Sequence, residues 1–160
     1  MSLSDQISKQ LKNMNVSTVR LKNGLTCKEI LRHEADRLKS CIQKRINEFY
    51  GNHSTSGQYD RTDAFRQSLM VDDILEIDVV GNQLRIYLLF DDGLAYHPSL
   101  WGGEKGFVPS LIEFGWSWNQ DNIHRRYLSY FEGFDYVGLG IQDYNQDNPY
   151  GIKVNIIKNR

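Results

Sequence analysis

Residues 25–51 read LTCKEILRHEADRLKSCIQKRINEFYG, and this stretch decides the fold class. Thr26-Cys27-Lys28-Glu29 has the S/T-x-x-E spacing of a capping box, which predicts Thr26 at the N-cap and Glu29 at the third helical position. Leu25 and Ile30 flank the box at the spacing of a hydrophobic staple. Beyond it, Leu31, Ala35, Leu38, Ile42, Ile46 and Phe49 recur every three or four residues along one face, with Lys28, Arg32 and Lys39 opposite. Gly51 is placed to end the helix in a left-handed turn. The pattern predicts a helix of about 23 residues, roughly 35 Å long at 1.5 Å per residue.

Upstream, Leu3, Ile7, Leu11 and Met14 fit an amphipathic helix of about three turns that Ser2 or Ser4 could cap. Val16 to Leu21 is short and β-branched, and Asn23-Gly24 is a turn pair. Downstream, residues 51–58 have loop composition. Thr62 is expected to cap a short helix through Phe65, Leu69 and Met70. Leu75, Ile77 and Val79, then Leu84, Ile86, Leu88 and Phe90, alternate with polar residues around Gly81-Asn82, which predicts an antiparallel hairpin. The stretch from Tyr96 to Trp118 reads as a glycine-aromatic loop. Short helices are expected over Asn122–Phe131 and Phe134–Tyr144, then a turn at Asn148-Pro149-Tyr150-Gly151 and a last strand through Ile152, Val154 and Ile156. The sum is α+β: a long N-terminal helix packed on a small antiparallel β-sheet with additional short helices. It forms one domain over 1–160, with 1–25 as an N-terminal helical and turn segment and 26–160 as the main body.

Composition narrows the function classes. Of 160 residues, 19 are Lys or Arg and 20 are Asp or Glu, and only three are Pro, which excludes disordered and collagen-like chains. No apolar run reaches the ~18 residues of a membrane span, so the expectation is a soluble domain made inside a cell. The net charge of −1 conceals a split. Residues 1–50 hold ten basic and five acidic side chains, and residues 51–160 hold nine and fifteen. Such a split suits head-to-tail contact between copies. It also leaves open a nucleic-acid binder using Lys28, Arg32, Lys39 and Arg45, although a solvated helix face accounts for them more simply. Cys27 and Cys41 lie 14 residues apart on the predicted helix, about 21 Å, too far to pair, so both are expected to be reduced.

Candidate chemistry is sparse. His33, His53, His97 and His124 have no metal-ligand spacing, and there is no Cys-x-x-Cys pair. Ser99 and Ser110 lack a nucleophile-elbow context, and Gly102-Gly103 and Gly138-x-Gly140 lack that of a phosphate loop. No catalytic residue, metal or cofactor is expected. The one functional concentration is Tyr96, Trp101, Phe107, Phe114, Trp116 and Trp118, which includes all three tryptophans, with Glu104 and Glu113 among them. Aromatics beside carboxylates can bind or hydrolyse sugars, and aromatics are also enriched where subunits meet.

Two segments carry a resemblance. Tyr59-x-Arg61-Thr62-x-x-Phe65-x-x-Ser68-Leu69 resembles the Tyr-x-Arg-Thr-Gly-x-Leu-x-x-Ser motif of a family of tailed-bacteriophage minor tail components, the head–tail joining or tail-completion proteins. Asp63 stands where many members have Gly. His97-Pro98-Ser99-Leu100, Gly106-Phe107-Val108-Pro109 and Leu111-Ile112-Glu113-Phe114-Gly115-Trp116 look like that family's loop returning to a sheet-closing glycine. The resemblance spans about residues 26–157. It implies a structural virion protein of the neck or head-proximal tail, assembled in the bacterial host cytoplasm and not an enzyme. The expected partners are other copies in a ring and further neck, connector or tail proteins, with no membrane, and with DNA met only in a ring lumen. On this reading Tyr96, Trp101, Phe107, Trp116 and Trp118 are interface residues. Tyr59, Arg61, Thr62, Ser68 and Gly115 are the structural motif positions. The alternative is a carbohydrate or cell-wall binding domain using the aromatic loop 96–118.

Overall fold

The computed structural model describes residues 19–52, 64–72, 76–77, 83–97, 106–114, 116–117, 130–131 and 133–157. The fold is α+β, a long helix with short antiparallel strand pairs and short helices. The chain forms two compact units, Met1–Lys39 with Met70–Leu89, and Ser40–Leu69 with Phe90–Arg160.

Helix α1 runs Cys27–Asn52. Its start is the capping box the sequence predicts. The Thr26 N–H donates to Glu29 Oε2 at 2.7 Å and the Glu29 N–H donates back to Thr26 Oγ1 at 3.2 Å. Each bond satisfies a donor that the first helical turn leaves open. The staple is one-sided, because Ile30 is buried and Leu25 is exposed. Gly51 does not stop the helix, which continues through Asn52 without a left-handed residue. The buried stripe is Ile30, Ala35, Leu38, Ile42, Ile46 and Phe49. Glu34 is buried with it, held by Arg37 through Nε at 3.0 Å and Nη2 at 2.7 Å. Both cysteines are free.

In the first unit, Gly24 takes a φ of 82°, as the Asn23-Gly24 turn requires, and Arg20 bridges to Thr26 just before α1. Strands β1 (Glu76–Ile77) and β2 (Leu84–Arg85) pair antiparallel, Glu76 opposite Arg85 and Ile77 opposite Leu84. These two pairs are the described part of the predicted hairpin; its Gly81-Asn82 turn, with Leu75 and Val79, lies outside the described residues. After Arg85 the chain leaves this partner, and strand β3 (Leu88–Phe90) pairs instead with β4 (Leu69–Val71). Flanking bonds from the Asp72 N–H to Tyr87 O and from the Asp91 N–H to Ser68 O run in the opposite sense along the two segments, as antiparallel strands demand.

The second unit holds the rest. Helix α2 (Ala64–Ser68) is shorter than expected, since Leu69 and Met70 have already entered the strand. Helix α3 (Asp92–Ala95) is capped by Asp91, whose carboxylate accepts from the Gly93 and Leu94 N–H groups. Within the expected loop over Tyr96–Trp118, the described residues form regular elements. Tyr96–His97 (β5) pairs with Gly106–Phe107 (β6), helix α4 follows over Val108–Phe114, and Trp116–Ser117 (β7) pairs with Tyr130–Phe131 (β8). Pro109 sits in the first turn of α4, where a missing N–H costs nothing. Tyr130–Phe131 is a strand, not the end of the helix expected over Asn122–Phe131; the start of that helix lies outside the described residues. Helix α5 (Tyr136–Asn145) is close to the expected span. The turn after it is present, with Gly151 at φ 62° and the Asn148 side chain bonded at 3.0 Å to both the Ile152 N–H and C=O. The expected last strand is not: residues 151–157 form no ladder. The expected helix over residues 3–14 and the segment 53–60 lie outside the described residues.

The core of this unit is a run of rings. Tyr50 of α1 stacks on Phe65 at 6.1 Å, Phe65 on Phe90 at 5.9 Å, and Tyr136 meets both edge-on. Phe49 stacks on Phe134 at 5.8 Å. Helix α5 lies directly on α1. A Cβ on Gly140 would fall 2.7 Å from the Ile42 Cα, and Arg45 clasps Asp143 one turn further along at 2.7 and 2.9 Å.

Candidate assembly surface

The aromatic run reaches the surface through one strand pair. Tyr96 stands opposite Phe107 in the β5–β6 ladder, their rings 5.1 Å apart, and Phe107 continues edge-on to Phe90 at 6.3 Å. Phe107 is half-buried, so it links the core to Tyr96, which is 42% exposed. Leu94 and Phe114 are also exposed, at 37% and 60%. Of the proposed interface residues, Tyr96 and Phe107 are thus brought together. The backbone of Trp116 lies in the ladder with Phe131, and Trp101 and Trp118 lie outside the described residues.

Among the motif residues, Ser68 is fully buried and its hydroxyl donates to the Phe65 carbonyl at 2.7 Å, closing the last turn of α2. Ser68 O in turn accepts the Asp91 N–H, so the serine joins the short helix to the cap of the next one. Tyr59, Arg61, Thr62 and Gly115 lie outside the described residues.

The residues considered for chemistry are placed otherwise. Glu113 is half-buried and accepts the Val137 N–H at the start of α5 at 3.2 Å, beside the Asp135 cap. Burial, and then a hydrogen bond with the Asp135 side chain, push its carboxyl from 4.5 up to about 7. Both carboxyls serve the start of a helix, where negative charge and acceptors are favoured. Burial drives the Tyr136 phenol well above its ordinary value, and its hydroxyl donates to Pro109 O at 3.2 Å. Glu104 lies outside the described residues. His33 is exposed beside Glu34, and among the described residues no three His, Cys, Asp or Glu side chains gather as a metal set would. The candidate basic face is interrupted at Arg45, which is bonded to Asp143 and Glu48. Composition could not reveal that pairing, because Asp143 is 98 residues away.

No family model, curated protein or solved structure matches the chain. Among the described residues no helix is long and apolar enough to cross a membrane.

Proposed function

We propose that the chain is a structural component of a tailed phage or prophage, a head–tail joining or tail-completion protein that works by ring assembly and contacts with other neck or tail proteins, without catalysis or cofactor. The observation that carries the reading is the pair of motif segments, Tyr59–Leu69 and His97–Trp116, in their order along the chain. Three features support it. The element order of long helix, short helix, hairpin and later helix suits the implied architecture. Ser68 closes the last turn of its helix through its hydroxyl, a structural task that suits the serine of the motif. Tyr96, Leu94 and Phe114 offer apolar contact area of the kind that subunit interfaces use.

Light scattering behind a sizing column, with negative-stain images of the same fractions, tests the proposal. Closed rings, or particles that join purified tails or connectors, are the expected result. A strict monomer that joins neither would refute it.

A further inference from the structure

Helix α4 is tied to the start of α5 along one seam. The Phe134 N–H donates to Ile112 O at 2.7 Å, the Tyr136 hydroxyl to Pro109 O at 3.2 Å, and the Val137 N–H to Glu113 Oε2 at 3.2 Å. The first two end on backbone carbonyls, and burial holds the Tyr136 phenol well above its ordinary value, so neither changes charge in the neutral range. The third ends on a carboxyl. It is the tie in this seam that a change of pH can reach.

That carboxyl meets a second one. Asp135 caps α5 by accepting the Gly138 N–H at 2.8 Å, and its side chain also hydrogen-bonds Glu113. Two ionised carboxylates offer only acceptors, so a bond between them requires a proton on one. Among the described residues, the other groups that bear on Glu113 are the Val137 and Tyr136 N–H groups and the Tyr136 phenol. Helix α4 itself, Val108 to Phe114, carries no second ionisable side chain. Both side chains named from the α5 side are acids, and each opposes ionisation of Glu113. Burial first, and the Asp135 bond second, accordingly raise its carboxyl.

We propose that Glu113 and Asp135 share one proton, and that this proton latches the last turn of α4 to the first turn of α5. Its loss leaves two adjacent carboxylates, which repel. Asp135 is exposed and held at the cap, so the half-buried Glu113 swings out and gives up the Val137 N–H. The ties to Ile112 O and Pro109 O do not titrate and remain, which confines the opening to one end of the seam. Because the folded value lies above the ordinary one, the latch is closed at low pH and opens as pH rises through about 7. Phe114 follows Glu113 directly and is 60% exposed on the candidate assembly surface, so the latch governs how that ring is presented. The device goes beyond ring assembly and does not depend on it.

Two measurements on the full-length protein test it. The first is an NMR titration with isotope-labelled Glu and Asp carboxyl carbons. A Glu signal with its midpoint near 7 is expected, absent from Glu113→Gln. In Asp135→Asn, where asparagine caps a helix as well as aspartate, the proton affinity of Glu113 should fall about tenfold or more. An unmoved midpoint in Asp135→Asn overturns the shared proton. The second follows hydrogen exchange at the Val137 N–H from about pH 5 to about pH 8, corrected for the intrinsic rate. Protection is expected to fall at least about tenfold in the wild type and to stay level within about twofold in Glu113→Gln, whose amide accepts the Val137 N–H and donates to Asp135 without a proton to lose. Constant protection in the wild type, or an equal fall in Glu113→Gln, overturns the latch.

Discussion

Gly140→Ala examines the closest approach in the second unit. The added Cβ would sit 2.7 Å from the Ile42 Cα and Cγ1 and 3.0 Å from the Ile42 backbone nitrogen. Ordinary carbon contacts need about 3.5–4.0 Å, so the two helices must separate by roughly 1 Å. The obstacle includes backbone, which cannot rotate away as a side-chain tip can. Overpacking of this kind costs about 1–3 kcal/mol, against which alanine returns up to about 1 kcal/mol of helix propensity. Separation also strains the Arg45–Asp143 pair one turn further along both helices. The net expectation is a loss of about 2 kcal/mol, which lowers Tm by about 4–8 °C for a chain of this size. Gly51→Ala is the control, because its Cβ would meet nothing within 4 Å and its helical backbone has no positive φ. That variant should gain a few tenths of a kcal/mol. Thermal and urea unfolding of the two variants side by side measure the difference. If Gly140→Ala is as stable as Gly51→Ala, the helix-contact argument is wrong.

Three further perturbations have defined signs. Thr26→Ala removes the hydroxyl that accepts the Glu29 N–H and should cost about 1 kcal/mol in urea unfolding. Glu113 titrates near 7 when folded against 4.5 ordinarily, so its contribution is complete below 4.5 and lost as pH rises through 7. At ~1.4 kcal/mol per tenfold the ceiling is about 3 kcal/mol, and partial exposure reduces it to about 1–2 kcal/mol. Urea midpoints from pH 5 to 8 should fall for the wild type and flatten in Glu113→Gln. The Arg45 guanidinium holds the Asp143 carboxyl below its usual 3.8, so this pair stabilises above that value and is lost as pH falls through the lower folded value. Asp143→Asn should therefore weaken the acid-side dependence of unfolding, and an unchanged acid limb would contradict the pairing.

Legibility followed the range of the interactions. The capping box, the Asn23-Gly24 turn and the helix after Asp135 depend on residues within four positions of each other, and local spacing exposes them. The partner switch after Arg85 was hidden because Leu84, Ile86, Leu88 and Phe90 alternate without a break. What divides them is which strand lies alongside, and alternation carries no register. Helix α4 was masked by Pro109 and the nearby glycines, although proline in a first helical turn is compatible with helix. Ile152–Ile156 differs in the other direction: its pattern is that of a strand, but a strand needs a neighbour, and among the described residues none pairs with it. Tyr96 lies at the surface and the Phe107 ring is engaged by Phe90, a difference that residue type alone does not carry.

The charge split of the sequence suggests that electrostatics hold copies together, but the structure spends part of that charge internally. Arg45 is committed to Asp143 and Glu48, and Arg37 to Glu34. Residual surface pairs contribute about 0–1 kcal/mol each and are screened by salt. A buried isoleucine contributes about 1.5–3 kcal/mol and is not screened. On the assembly proposed above, charge is expected to steer the encounter, while exposed apolar side chains such as Leu94, Tyr96 and Phe114 are expected to supply the adhesion. Raising salt from about 0.05 to 0.5 M, across which the screening length falls several-fold, should slow assembly in stopped-flow scattering yet leave the final assembled fraction nearly unchanged. Complete dissociation in the higher salt would show that ion pairs, not the exposed apolar side chains, carry the contact.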